Sequence, residues 1–190
     1  MSALAQQAPA PVVFLLGPSG VGKSTLGAWV REDLRFLHLE IDRWDGAHGD
    51  GIDLEGLRTE WNTFCHGGEA SPLAAAIRER IVAACRRGAV LTFASPLVLS
   101  PAQIALLARF GISVLVLYGS GAECLQAFLE REGTSGRGLP LEHWMFHNAA
   151  SHAKFSLSEY APYRIMAFHD GRFRTREALV DEVRKRAGER

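Results

Sequence analysis

The chemistry open to this chain is concentrated in nine residues, GPSGVGKST from Gly17 to Thr25, where three glycines precede a lysine and two adjacent hydroxyls. Gly17, Gly22, Lys23 and Ser24 satisfy the spacing GxxxxGK[ST], with Pro18, Ser19, Gly20 and Val21 filling the interval. Glycine lets a backbone curl until successive amide N–H groups face one centre, and a helix starting at the end of the loop adds the positive end of its dipole. Such a cradle suits a polyanion. Lys23 is expected to reach the β- and γ-phosphates of a nucleotide, Ser24 to hold magnesium through its hydroxyl, and Thr25 to donate to the α-phosphate. A glycine-rich turn that binds nothing is the bland alternative. The surroundings argue against it, because an apolar run precedes the loop and a helical segment follows it, as the motif requires.

The elements that must position this loop are legible as alternating apolar runs and helical punctuation. VVFLL at 12–16 reads as a parallel strand buried on both faces, and FLHLEI at 36–41, AVLTFA at 89–94 and ISVLVLY at 112–118 are of the same kind. YRIMAF at 163–168 is a weaker fifth. Between them, Ser71 with Pro72, Ser100 with Pro101, and Ser120 with Glu123 mark helix starts. Gly88 and Gly111 stand where two helices should stop. Leu73, Ile77, Ile81 and Cys85 recur at four-residue spacing and form one helical stripe. Strands alternating with helices predict an α/β domain with a mainly parallel sheet, whose ligands lie beyond the carboxyl ends of the strands.

The whole chain sets the bounds. Its 190 residues suit one domain, taken as 12–190 after a flexible tail at 1–11. With 47% hydrophobic and 22% charged residues it is expected to fold, and 21 basic against 21 acidic residues give no electrostatic footprint for nucleic acid or an anionic membrane. Lysine is scarce, three against eighteen arginines, which makes Lys23 inside the glycine cluster harder to ascribe to composition. Cys65, Cys85 and Cys124 are widely spaced within apolar stretches and read as reduced, packed thiols of a cytoplasmic protein. MSALAQQAPAP lacks the basic start and apolar centre of a signal peptide, and no apolar run approaches the roughly 20 residues of a membrane span.

At GPSGVGKST the chain resembles P-loop NTPases and kinases, and most of all the small-metabolite kinases of the shikimate and gluconate type. The resemblance implies a three-layer P-loop fold with a mainly five-stranded parallel sheet flanked by helices, nucleoside-kinase-like with a lid. Those enzymes place an acidic residue after the second strand, where FLHLEID offers Glu40 and Asp42. They often replace the aspartate after the third strand by small residues, here Ala94 and Ser95. Their lid carries arginines, and Arg131 and Arg137 flank the glycine-rich stretch 131–140. Kinases of the chloramphenicol phosphotransferase kind share the aspartate after strand two.

Phosphoryl transfer requires alignment, charge neutralisation and exclusion of water more than covalent chemistry. Asp42 is the residue expected to orient the acceptor hydroxyl and to serve magnesium. Glu40, on the same side of the strand, is its support or an outer partner of the metal. Arg131 and Arg137 would neutralise charge on the transferred group. Ser95 and Thr92 at the end of strand three either contact magnesium-bound water and the acceptor or are plain strand residues. The acceptor segment is placed at 43–66, where Arg43, Trp44, Arg58 and Trp61 mix guanidinium groups with aromatic faces. Trp44 ranks above Trp61, which falls on a helical stripe with Leu54, Leu57 and Phe64. His143 and His147 read as polar-face histidines rather than metal ligands, and Asn148 is a possible contact to substrate or nucleotide. The base pocket is expected near Phe168 to Arg172.

The expected function is ATP- and Mg2+-dependent transfer of a phosphoryl group to a hydroxyl of a small molecule. The alternative is a nucleotide-binding sensor or partner-binding module, or an NTP hydrolase, on the same fold. A GTPase is disfavoured by the lack of NKxD, and a nucleoside monophosphate kinase by FASPLVL, which departs from its aspartate-glycine-aromatic-proline-arginine run. Motor, transporter and helicase ATPases are disfavoured by the missing hhhhDE segment.

Overall fold

A computed structural model describes residues 9–41, 54–93, 99–135 and 141–188. In chain order the elements are β1 Val12–Leu16, α1 Lys23–Leu34, β2 Leu37–Glu40, α2 Glu55–Cys65, α3 Ala70–Ala83, β3 Ala89–Thr92, α4 Pro101–Arg109, β4 Ile112–Tyr118, α5 Gly121–Ser135, α6 Leu141–Phe155, β5 Arg164–Met166, β6 Phe168–His169, β7 Arg172–Phe173 and α7 Arg176–Arg186. β1 to β5 form one sheet in the order β2-β3-β1-β4-β5, and every neighbouring pair is parallel. All five carboxyl ends therefore lie along one edge, with β1 in the middle.

Side-chain alternation divides the core into two layers of helices around the sheet. Val12, Phe14 and Leu16 of β1 join Leu37, Leu39 and Leu91 against α2, α3 and α4, while Val13 and Leu15 join Val90, Leu115 and Leu117 against α1 and α7. All five residues of β1 are buried, so the strand is apolar on both faces, as its continuous run implied. Trp61 is core: its ring lies 4.4 Å from Phe93 and 5.6 Å from Phe14, and Leu54, Leu57 and Phe64 are buried beside it.

The helix starts at Ser100 and Ser120 are as expected. Ser100 Oγ accepts from the Gln103 N–H while Gln103 Oε1 accepts from the Ser100 N–H at 2.9 Å, and Ser120 and Glu123 make the same reciprocal pair. Gly111 follows α4 with a left-handed φ of 70°. Ser71 is not a cap, because α3 begins at Ala70 with Glu69 ahead of it, leaving Pro72 inside the first turn, where a missing N–H costs no helical bond. Cys85 is not on the buried stripe of α3. The helix ends at Ala83, and Cys85 takes a left-handed φ of 51° with its thiol exposed. The fifth run also divides: β5 stops at Met166, and Phe168 starts a small antiparallel hairpin, β6–β7, turned by Asp170 and Gly171 at φ 50° and 72°. No helix among the described residues is long and apolar enough to cross a membrane.

Candidate functional site

The loop Gly17 to Gly22 leaves the carboxyl end of the central strand and runs into α1 at Lys23. Its curvature depends on glycine where the fold leaves no room, as two of its positions show. Gly20 has φ 78°, and a Cβ there would sit 2.1 Å from the Cys124 carbonyl oxygen of α5; Gly22 has φ 90°, and a Cβ there would sit 2.5 Å from the Phe173 ring of β7. Both the left-handed backbone and the close approach exclude a side chain.

Gly22 occupies the N-cap of α1 and supplies no capping side chain, and the first turn contains no acidic residue. Most helices satisfy their first N–H groups with a Ser, Thr, Asp or Asn cap. A twelve-residue helix that leaves this end uncapped at the strand edge is receptive to an anion. Lys23 Nζ donates to the Gly17 and Pro18 carbonyls, each at 2.9 Å, which folds the ammonium back across the loop. Ser24 and Thr25 present exposed hydroxyls on the first turn. Asn148 of α6, itself buried, donates from Nδ2 to the Ser19 carbonyl at 3.0 Å.

Glu40 is brought to the same edge by strand register. Glu40 pairs with Thr92 and Thr92 with Leu15, so these three share the sheet face that α1 covers. Lower on that face, His38 packs against Gly27 of α1. Two strand residues beyond His38 advance about 6.6 Å, and three helix residues before Gly27 retreat about 4.5 Å. Glu40 therefore stands near the level of the first turn of α1, where Ser24 lies.

Arg131 belongs to α5 with its guanidinium 5.1 Å from the centre of the Phe128 ring, and the backbone of Phe128 backs Gly20. An exposed arginine is thus held beside the loop. Arg58 of α2 donates from Nε to the Ile41 carbonyl at 3.3 Å, bracing the backbone just after Glu40. Asp42, Arg43, Trp44, Ser95 and Arg137 lie outside the described residues. Thr92 is buried, and its hydroxyl pairs with His38 Nε2 at 3.2 Å. His147 is exposed, and the described residues contain no cluster of three or more groups able to hold a metal. Phe168 packs on Gly119, and Phe173 meets Gly22 and Trp29, so the hairpin forms a wall behind the loop.

Cys124, behind the loop, has its thiol pushed up to about 11, mainly by burial, with the charge of Glu123 adding to the shift. Burial likewise raises Cys65 to about 11. Both thiols stay protonated at neutral pH and are poor nucleophiles.

The chain matches no protein-family profile and no curated protein sequence. Solved structures do share its fold. A sugar kinase from a Janibacter species superposes with a TM-score of 0.53 at 16% identity, covering 95% of each chain. A shikimate kinase from Bacteroides thetaiotaomicron gives 0.51 at 18% identity over 92% of this chain and 97% of its own, and one from Acinetobacter baumannii in complex with shikimate gives 0.50 at 19% over 92% of each. The chain has the three-layer α/β fold of P-loop small-molecule kinases, including its five-stranded parallel sheet.

Proposed function

We propose that the protein is an ATP- and Mg2+-dependent kinase that phosphorylates a hydroxyl group of a small molecule. The observation that carries this reading is the uncapped start of α1, cradled by the Gly17–Gly22 loop at the carboxyl end of the central strand, with the Lys23 ammonium held across it. The likeness in fold to solved structures of small-molecule kinases supports the same reading.

In the proposed reaction the α1 amides and Lys23 bind the β- and γ-phosphates and take up the charge that develops as the bridging oxygen leaves. Ser24 and Asp42 would hold a magnesium ion, a hydroxyl and a carboxylate being oxygen donors of the kind that hard cation prefers, and Glu40, on the sheet face that α1 covers, would support it as an outer partner. Bound there, magnesium would neutralise phosphate charge. Thr25 donates to the α-phosphate. Asp42, two residues beyond Glu40, orients the acceptor hydroxyl and takes its proton, and also serves the metal site. Arg131 and Arg137 stabilise the transferred group, while Arg43, Trp44, Arg58 and Ser95 contribute to the acceptor pocket within or beside 43–66. The segment 131–140 acts as the lid of a single domain, 12–190, which Ala10 and Pro11 already join, Ala10 against the core and the Pro11 carbonyl accepting from the Ala89 N–H at 3.0 Å. The base lies toward the β6–β7 hairpin. A cytoplasmic location is part of the same proposal, and the free cysteines Cys65, Cys85 and Cys124 support it.

Asp42→Asn tests the division between binding and transfer. Nucleotide affinity is expected to change little while phosphorylation of the acceptor falls at least a hundredfold. Turnover at the wild-type rate would remove Asp42 from this role.

A further inference from the structure

The described residues bury three polar side chains, Thr92, Asn148 and Ser151. Thr92 is engaged by His38. Asn148 is engaged by the loop: its Nδ2 donates to the Ser19 carbonyl at 3.0 Å, across 129 positions of sequence. One turn further along α6, His152 Nε2 pairs with the Gly119 carbonyl at 2.9 Å, and its ring stacks on Tyr118. Residues four apart share one face of a helix. That face of α6 is therefore registered against the two backbone segments that leave β1 and β4, and Asn148 is the member that reaches the phosphate loop.

What the bond does follows from peptide geometry. Ser19 precedes Gly20, and the amide between them is planar and trans, so its C=O and N–H point in opposite directions. A carbonyl held on the α6 side turns the Gly20 N–H away from α6. Gly20 has no side chain with which to fix this plane, and its φ of 78° is one of several wells open to glycine. The opposite risk, collapse of the loop toward α5, is blocked by the Cys124 carbonyl and Phe128. Asn148 adds a restraint from outside the loop.

We propose that Asn148 is a positioning residue for phosphate binding, holding the Ser19 carbonyl so that the Gly20 N–H is presented to the anion before it arrives. This rests on the nucleotide-binding part of the proposed function. The gain is preorganisation, since a donor already aimed need not be ordered at the moment of binding.

The test compares wild type with Asn148→Ala and with Asn148→Leu, which keeps the branched outline of the side chain and removes the donor. Met145→Ala, exposed on the same helix, is the control. Calorimetry with MgATP and with inorganic tripolyphosphate gives affinity and stoichiometry separately, alongside the Tm of the free protein. Both Asn148 variants are expected to bind each ligand about tenfold more weakly at unchanged stoichiometry, and Met145→Ala as wild type does. A purely structural role would lower Tm and the fraction of molecules that bind while leaving the affinity of that fraction unchanged, and this result would overturn the proposal. In wild type, hydrogen exchange of the Gly20 amide should slow on adding tripolyphosphate. Unaltered exchange would overturn the proposal even if neither variant folded. A wild-type protein that binds neither ligand would defeat the nucleotide reading itself, whereas tight wild-type binding with unaffected variants would defeat only the role of Asn148.

Discussion

Gly20→Ala perturbs the loop at the position where the structure allows the effect to be divided into parts. An alanine at φ 78° pays the left-handed penalty of about 1–2 kcal/mol that any non-glycine residue incurs. Its Cβ would also fall 2.1 Å from the Cys124 carbonyl and 2.9 Å from Phe128, both backbone or near-backbone atoms that cannot rotate away. Relieving that overlap requires the loop or α5 to shift, at a further cost of about 1–3 kcal/mol. The sum, about 2–5 kcal/mol, corresponds to a fall in Tm of roughly 4–20 °C for a chain of this size. Gly67→Ala is the matched control, because Gly67 has φ 93° but nothing within 4 Å of the added Cβ. Only the backbone penalty applies there, about 1–2 kcal/mol or roughly 2–8 °C. Thermal unfolding of both variants, with MgATP affinity measured by calorimetry, separates strain from clash. Gly20→Ala is expected to bind at least tenfold more weakly, on the order of 1.4 kcal/mol, and Gly67→Ala to bind normally. If both variants melted together and bound MgATP as wild type does, the account of the loop as a tightly backed cradle would be wrong.

Two further outcomes follow from the same geometry. Lys23→Ala should weaken MgATP binding about 10- to 150-fold, the loss expected for charge-assisted hydrogen bonds, as measured by calorimetry. Asp33, whose carboxyl is held below its ordinary value of 3.8 chiefly by the hydrogen bond from Arg176, contributes stability that is full above that value and disappears as pH falls through the lowered one. Denaturant midpoints followed from pH 6 to pH 2 should therefore decline less steeply for Asp33→Asn than for wild type, and the difference should shrink in high salt because the pair is exposed.

Those parts of the fold that local chemistry specifies were readable from residues alone. Continuous apolar runs located β1 and β4 to the residue, and Ser100, followed by Pro101, and Ser120, three residues before Glu123, cap helices as those neighbours implied. The loop was spelled out because its chemistry is carried by backbone and by neighbouring residues. Where tertiary packing chose among local options, the sequence was less informative. Ser71 lost the cap position to an earlier start that buries Ala70, and Cys85, in phase with the α3 stripe, came after the helix had already ended. The hairpin β6–β7 has two residues per strand, too few for a periodic signal, although the Asp170–Gly171 pair marks its turn. Asn148 was legible as a polar residue on a helix, but its contact with Ser19 exists only once α6 lies across the strand edge. Thr92, at the end of β3, left a ligand role and a plain strand role equally open, and in the fold its hydroxyl pairs with the His38 imidazole of β2.

The central claim is transfer, and it is tested most directly by incubating the protein with ATP, Mg2+ and a library of hydroxyl-bearing metabolites and reading products by mass. The account predicts one compound, or one chemical family, that gains a single phosphoryl group while an equal amount of ADP forms, with neither product made by Lys23→Ala. Tight ATP binding with no phosphorylated compound across the library, or release of ADP and inorganic phosphate alone, would contradict it.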